Sequence, residues 1–356
     1  MTLQFRMARP NRSAQIDTAL LQAVITHPQD LVSMVAAQLG FSRQYVGGRV
    51  KQLVADGYLR KSGGSTRPRY SLGNNRRFSR SYPASGLAED DVWFRDLLPL
   101  LSDLAEPVRD IAHYGVTEMV NNCIDHSGAQ SVWVEMQLDA ARLHLVIADD
   151  GVGIFRKITR ALALPDERLA LLHLSKGKLT TDPRRHSGEG IFFTSRMFDR
   201  FGIHSGGLLF DHDHAYDDDW LEEVQPRQAV RGTRVEMSIK RDSERIMREV
   251  FSEYSSGPED FAFAKTVVPV RLARVGDESL ISRSQAKRLL QKVEGFRTVV
   301  LDFSGVSSIG QAFADEVFRV FASYHPGIEL VASNTSADVL AMIRRAQSLH
   351  NAQQQS

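Results

Sequence analysis

Four polar residues recur at helical spacing in the segment 114–127, which reads YGVTEMVNNCIDHS. Positions i, i+4, i+7 and i+8 lie on one face of a helix. A carboxylate there can orient a water or a hydroxyl, and an amide oxygen can ligate Mg²⁺. The polar residues are Glu118, Asn122, Asp125 and His126, and a separate apolar stripe consists of Val116, Met119, Val120 and Cys123. The spacing predicts a helix that lines a site and packs on a sheet, although a solvated helix face would show the same polar pattern.

A second motif, LHLVIADDGVGI at 143–154, combines an apolar strand with acidic and glycine residues. Asp149 follows the apolar run, where a carboxylate can accept a hydrogen bond from an exocyclic amine. Gly151 and Gly153 lack a Cβ and so allow the backbone to approach a ligand closely. An ordinary Asp-Gly turn is the alternative interpretation.

Two further motifs follow in the same part of the chain. HSGEGIFFTSRMF at 186–198 places Gly188 and Gly190 before a predicted helix at 191–201. The free amides of a helix N-terminus bind phosphate readily. RGTRVEMSI at 231–239 alternates as a strand does, and Thr233 at its start offers a hydroxyl to a base.

In this order, the four motifs resemble the N box and the three glycine boxes of the GHKL ATP-binding superfamily. That superfamily includes DNA gyrase B, sensor histidine kinases and anti-sigma-factor serine kinases. The resemblance covers about 92–240 and implies a Bergerat fold, with a mixed sheet covered on one face by helices. It also implies that Mg²⁺ and ATP are bound. By this resemblance Asn122 is the Mg²⁺ ligand and Glu118 activates a water or hydroxyl. Asp149, with Thr233 nearby, would accept a hydrogen bond from the amino group of adenine.

The resemblance also assigns the phosphate end of the site. Gly151, Gly153, Gly188 and Gly190 would shape the phosphate loops, and His126 would face the phosphates, with Asp125 as its neighbour. Residues 155–187 occupy the place of the mobile lid of the family. The candidates there for the γ-phosphate are Lys176, Lys178, Arg184 and Arg185, and a solvated basic loop is the alternative.

The stretch DHDH at 211–214 has the residue types of a metal site. It lies within an acidic, turn-rich segment, so we expect a solvent-exposed loop without a metal.

Charge is distributed unevenly along the chain. Residues 1–80 contain 13 Lys and Arg and three Asp, whereas the remainder contains 31 basic and 40 acidic residues. Such a basic segment on an acidic body indicates that one end meets a polyanion. Helical patterns at 13–26, 30–39 and 43–56 precede a basic hairpin, so 1–80 is predicted to be a winged helix-turn-helix domain.

The third helix is the candidate for DNA recognition, and the hairpin is the candidate wing. The predicted DNA contacts are Arg43, Gln44, Arg49 and Lys51 on the helix and Arg60, Lys61, Arg67 and Arg69 on the wing. A helical bundle that binds protein is the alternative.

Residues 73–90 are polar and contain Gly, Pro and Ser, which predicts a linker. Beyond about residue 258, strands and helices alternate, and LDFSGVSSIGQAFADEVFRVF at 301–321 resembles the STAS domain of anti-anti-sigma factors. In those factors a serine in this loop is phosphorylated by a GHKL kinase. Here the place reads Gly310-Gln311-Ala312, so the resemblance implies a docking surface, with Ser307 or Ser308 as the substitute acceptors if the protein is a kinase.

We expect the 356 residues to form an α+β and α/β multidomain protein, with a winged helix-turn-helix DNA-binding domain at 1–80, an ATP-binding domain at 90–245 and a STAS-like domain at 258–350. One cysteine and the lack of a long apolar run predict a cytoplasmic protein without a membrane span. The expected function is that of an ATP-binding, DNA-binding regulator, active as a homodimer, with a protein partner on the STAS-like domain. The alternatives are an anti-sigma-type serine/threonine kinase and a DNA-remodelling or defence-type ATPase.

Overall fold

The computed structural model describes residues 12–64, 67–179, 188–214, 218–223, 229–257, 260–274 and 278–354. Its N-terminal part contains three helices and a hairpin, as the sequence predicted. The helices are α1 (Arg12–Ala23), α2 (Leu31–Leu39) and α3 (Arg43–Ala55), and the antiparallel hairpin is formed by β1 (Leu59–Ser62) and β2 (Arg69–Leu72). Ser42 caps α3 by accepting a hydrogen bond from the amide of Tyr45, and Gly57 follows the helix at a positive φ of 76°.

The central part is built on a seven-stranded sheet with the strand order β3-β4-β5-β9-β6-β7-β8. The strands are β3 (Arg76–Pro83), β4 (Ser131–Leu138), β5 (Arg142–Asp149), β6 (Arg200–Gly206), β7 (Leu208–Asp213), β8 (Asp218–Glu223) and β9 (Val230–Lys240). Every pairing in this sheet is antiparallel, so the expected mixed sheet is wrong. The neighbours β5 and β9 are joined along nearly the whole length of β5, which brings two of the motifs side by side.

The helices of the central part are α4 (Leu98–Leu101), α5 (Glu106–His126), α6 (Ile154–Ala161), α7 (Arg168–Lys176), α8 (Gly190–Met197) and α9 (Met247–Glu253), with a π-helical turn before α4. The predicted helix at 191–201 therefore stops early, since residues from Arg200 onward pair with β9. The predicted loop at 211–214 is also wrong, because Asp211, His212 and Asp213 belong to β7 and His212 is buried against Arg196.

Residues 73–90 do not form a linker. Eight residues of this segment form β3, which pairs with β4 along its full length, so only residues 73–75 separate the hairpin from the sheet. The junction is tight: a Cβ on Gly73 would lie 1.9 Å from the carbonyl oxygen of Gly57, and Asn75 donates to the carbonyl of Asp56. The buried guanidinium of Arg76 pairs with Asp103 and bonds the Gly73 carbonyl. The domain boundary therefore lies near residue 73.

The C-terminal part alternates strands and helices, as predicted. A short hairpin of β10 (Ser255–Gly257) and β11 (Asp260–Phe263) precedes a parallel sheet of β12 (Lys265–Pro269), β13 (Thr298–Asp302) and β14 (Glu329–Ser333). Its helices are α10 (Arg283–Leu290), α11 (Gln311–Asp315), α12 (Ala322–Tyr324) and α13 (Ala337–Gln354), with a π-helical turn joining α11 to α12. The central and C-terminal parts share one continuous cluster of buried apolar residues, whereas the N-terminal helices have their own.

An ion-pair cluster ties the N-terminal helices to the sheet. Asp17 on α1 is 2% exposed, and its carboxylate accepts two hydrogen bonds from Arg49 at 2.9 and 2.7 Å and one from Arg77 at 2.9 Å. Arg49 lies on α3 and Arg77 on β3, so one carboxylate joins three elements. The bidentate geometry is the strong form of this interaction.

In the part of the chain that the structure describes, no helix is long and apolar enough to cross a membrane.

Replacing Asp17 by Asn should remove the negative charge that Arg49 and Arg77 share. The amide can accept only one of the two hydrogen bonds that Arg49 donates to the carboxylate. We expect a loss of about 1–3 kcal/mol in the local stability of the N-terminal helices, because a buried charged hydrogen bond is broken. Native-state hydrogen exchange of the α1 and α3 amides measures it. Asp30→Asn is the control, since that carboxylate is exposed and pairs only with His27 in the described part. Equal exchange in both variants would contradict the assignment.

Candidate functional site

Helix α5 carries the first motif and divides its residues between the sheet and a cavity. Val116, Met119, Val120 and Cys123 are all buried, as the apolar stripe predicted. Gly115 on the same helix lets Phe198 and Met237 approach, because a Cβ there would lie 2.6 Å from the Phe198 ring. The polar face consequently turns toward a cavity between α5, β5 and the start of α8.

This cavity has a volume of about 260 Å³ and gathers residues from all four motifs. The predicted site residues that line it are Glu118, Asn122, His126, Asp149, Gly153, Gly188, Gly190 and Thr233. Apolar side chains complete the wall, among them Met119, Ile147, Ile158 and Val235. A slot with apolar faces and one buried carboxylate suits a flat heterocycle that donates a hydrogen bond.

Asp149 ends β5 at the floor of the cavity. Burial raises the pKa of this carboxyl, while hydrogen bonds from the backbone amides of Gly151 and Thr233 and from the Cys123 thiol oppose the rise. The Gly151 amide lies 2.8 Å from Oδ1 and the Cys123 sulfur 3.7 Å from Oδ2. Gly151 does not line the cavity itself; it acts on the site by holding Asp149.

Two glycines stand where a side chain would collide with the acidic residues. A Cβ on Gly190 would lie 1.9 Å from Oε2 of Glu118, so a side chain at this position would displace that carboxylate from the start of α8. Gly232, at a φ of 77°, would place a Cβ 2.0 Å from the carbonyl oxygen of Asp149. The sequence motifs had indicated Gly190 but not Gly232, although Gly232 directly precedes Thr233.

Hydroxyl groups hold the glycine loop after β5 in place. The amide of Ile154 donates to the hydroxyls of Thr233, at 3.0 Å, and Ser205, at 3.1 Å. Ser205 in turn donates to the carbonyl of Gly232. Thr233 therefore supports the loop as well as lining the cavity. Ser205 was missed because it lies within a strand, with no local sign of function.

Lys157 is a cation that the sequence motifs did not indicate. It lies on α6, one turn after Gly153, and lines the cavity. Its Nζ donates to the His126 carbonyl at 2.5 Å, and burial lowers the pKa of the amine. The signal was its position four residues after the last glycine of the second motif, which places it one helical turn into the following helix.

Besides Gly151, three of the predicted site residues do not line the cavity. Lys176 and Lys178 turn away from the cavity and contact the C-terminal part: Lys176 Nζ donates to the Gln291 carbonyl at 2.7 Å and Lys178 Nζ to the Gly295 carbonyl at 2.9 Å. Asp125, seven residues after Glu118 on α5, is exposed and lies beyond the edge of the cavity. The expected lid at 155–187 is helical in α6 and α7, and Arg184 and Arg185 lie outside the described residues.

Most of the predicted DNA contacts are exposed, and one of them is held by a neighbouring carboxylate. Arg43, Gln44 and Lys51 on α3 are exposed, as are Arg60, Lys61, Arg67 and Arg69 on the hairpin. Arg49, another of the predicted contacts, does not belong to this exposed set, because its guanidinium is held by the buried carboxylate of Asp17. Arg76, Arg77 and Arg80, which contributed to the basic count of 1–80, belong to β3.

Two family models match the chain. Residues 73–208 match the model described as a histidine kinase-like ATPase domain, and residues 285–340 match a STAS-like domain of unknown function (DUF4325). No curated protein matches the chain significantly. The central part is thus a histidine kinase-like ATPase domain, and the C-terminal part is STAS-like, which confirms both resemblances. The first match begins three residues before β3, in agreement with the domain boundary.

Lys176 should make stability depend on pH. Burial lowers its pKa to about 7 from the ordinary 10.5, and the nearby Lys292 adds to that effect while Glu294 opposes it. Between these values the unfolded chain holds a proton that the folded chain lacks, so stability rises with pH, by at most about 1.4 kcal/mol per pH unit. Lys176→Met should flatten this slope in urea unfolding at pH 7, 8 and 9.

The control for this experiment is Lys287→Met, since the Lys287 side chain is 71% exposed. Its difference in stability from the wild type should be constant across the same pH range. Parallel pH profiles for wild type and Lys176→Met would show that Lys176 is charged in the folded protein.

Proposed function

We propose that the chain is an ATP-binding, slowly hydrolysing cytoplasmic regulator that contacts DNA through its N-terminal helices and hairpin. The observation that carries the ATP proposal is the cavity in which buried Asp149, Asn122 and the Glu118–Gly190 contact come together. The residues fit a nucleotide with Mg²⁺: an apolar slot ends in a hydrogen-bond acceptor, and an amide oxygen and a carboxylate lie on the helix beside it.

Each side chain has a role that follows from its place. Asp149 accepts a hydrogen bond from the exocyclic amine of adenine. Hydrogen bonds from Gly151 and Cys123 hold the carboxylate in one orientation, so it favours a base that presents a donor there. Lys157 supplies positive charge toward the phosphates, near His126. Asn122 would hold Mg²⁺ through its amide oxygen, and the ion would neutralise part of the phosphate charge.

Glu118 is the candidate general base. It lies one helical turn before Asn122 on α5 and against Gly190, the first residue of α8. A carboxylate at that place can orient a water and accept its proton. A serine or threonine hydroxyl of a partner could take the position of the water, which is the kinase alternative.

Glu118→Gln should lower ATP turnover by about 10²-fold or more while leaving ATP affinity within a few fold, because general-base catalysis contributes on that scale. Asp149→Asn should instead weaken ATP binding about tenfold, since a buried acceptor is replaced by a group that also donates. Phosphate release and calorimetric titration with Mg·ATP separate the two effects.

Asp110→Asn, an exposed carboxylate on the same helix, is the matched control and should change neither quantity. Unchanged turnover in Glu118→Gln would remove the general-base role. Intact mass recorded on the same samples decides between hydrolysis and transfer: a gain of one phosphate near Ser307 or Ser308, both exposed, would favour the kinase.

The DNA proposal is supported by the exposed cations of α3 and the hairpin, which lie on a capped helix and an adjacent ribbon as in a winged helix. The tight junction at 73–75 and the Asp17–Arg77 bond attach this module rigidly to β3. A change in the ATPase sheet would therefore reorient α3 without the slack of a linker. In a homodimer this would alter the spacing of two DNA-reading helices.

The double variant Arg43→Ala, Lys51→Ala should bind duplex DNA more weakly and with a shallower salt dependence. Removing one cation that neutralises a phosphate reduces the slope of log K against log salt by about 0.9. Fluorescence anisotropy at several salt concentrations measures both the affinity and the slope. Lys287→Ala, an exposed lysine of the STAS-like domain, is the control. If the wild type does not bind DNA at low salt, the module is a protein-binding one.

A further inference from the structure

A buried lysine joins the ATPase domain to the STAS-like domain. Lys176 ends α7 and is 1% exposed. Its Nζ donates to the carbonyls of Gln291, at 2.7 Å, and Arg288, at 3.4 Å, which lie at the C-terminal end of α10. The last carbonyls of a helix have no partner within the helix, so the amine satisfies groups that burial would otherwise penalise.

The backbone at this point is held as firmly as the side chain. Thr266 on β12 is fully buried, and its hydroxyl donates to the Lys176 carbonyl at 2.7 Å. The next residue, Gly177, has a φ of 72° and would place a Cβ 2.5 Å from the Phe263 ring. Lys178 Nζ lies 4.6 Å from the Phe296 ring centroid. Three consecutive residues are thus fixed to the STAS-like domain.

These three residues lead directly into a wall of the nucleotide cavity. Leu179 lines the cavity, and its amide donates to the Gly188 carbonyl at 3.2 Å. Gly188 and Gly190 also line it, and Gly190 adjoins Glu118. The ring of Phe263 packs against Phe192 on α8, with centroids 4.7 Å apart, so both edges of this wall rest on the same domain.

We propose that Lys176 is a positioning residue through which the STAS-like domain holds the cavity wall of Leu179, Gly188 and Gly190, and thereby sets the affinity for nucleotide. This inference rests on the proposed ATP binding. Lys176 touches no part of the cavity itself and acts only through the residues that follow it. Because coupling between two sites is reciprocal, nucleotide binding must also stabilise the Lys176 contacts with α10.

The full chain carrying Lys176→Met tests the proposal, since methionine keeps much of the volume of the side chain and removes the donor. Titration calorimetry with Mg·ATP should show affinity five- to tenfold weaker than that of the wild type. Steady-state turnover should show a raised KM with kcat within twofold, because Glu118 and Asn122 are untouched. A merely destabilised protein would lose apparent kcat at constant KM. Lys287→Met, on α10 but exposed, should behave as wild type.

Hydrogen exchange in the wild type provides the reciprocal readout. Saturating Mg·ATP should slow exchange of the amides at 288–296, which do not line the cavity. Thr266→Val, which removes only the hydroxyl that bonds the Lys176 carbonyl, should weaken ATP binding in the same direction. It replaces Lys176→Met as the test if that variant does not fold.

The outcomes are distinguishable. If the wild-type chain does not bind Mg·ATP, the proposed function fails, and the inference fails with it. If the wild type binds but folded Lys176→Met and Thr266→Val bind equally well, the proposed function stands and the positioning role is overturned. Weaker binding in both, with slowed exchange at 288–296 on nucleotide addition, establishes the coupling.

Discussion

Helix α5 packs against the sheet with one face and lines the cavity with another, and the geometry of the cavity depends on this division. Val116 and Val120 are buried against the sheet, while Glu118 and Asn122 project beside a cavity. A 3.6-residue turn separates these two faces by a fixed angle, so the packed stripe determines where the polar side chains point. The cavity, the close contact at Gly190 and the orientation of Asp149 all follow from that packing.

The three parts of the chain are joined by packed contacts. The Asp17 cluster and the short 73–75 segment connect the N-terminal helices to β3. Lys176 and Phe263 connect the STAS-like domain to the wall beside α8. The ATPase domain therefore lies between a basic module at one edge of its sheet and a STAS-like domain beside its cavity.

Several lysines and arginines show why charge and position in the sequence do not assign a role. Lys176 lies among basic residues, yet its amine bonds the C-terminal end of a helix in another domain. Arg49 lies in the basic N-terminal segment, yet its guanidinium binds a buried carboxylate. By contrast, Lys157, which no motif singled out, lines the cavity. A long flexible side chain reaches partners that are distant in sequence, and local spacing carries no information about them.

Local periodicity was enough to predict the three N-terminal helices, the two faces of α5, the strand that ends in Asp149, and the alternating strands and helices of the C-terminal domain. The sequence also indicated eight of the residues that line the cavity, because glycines and polar side chains at the ends of elements form recognisable local motifs. The three-dimensional structure was needed to show that residues 76–83 form an edge strand, that the seven-stranded sheet is antiparallel, and that Lys176 lies at a domain interface. Pairing partners of strands and burial of charged groups are set by long-range packing, which local patterns do not encode.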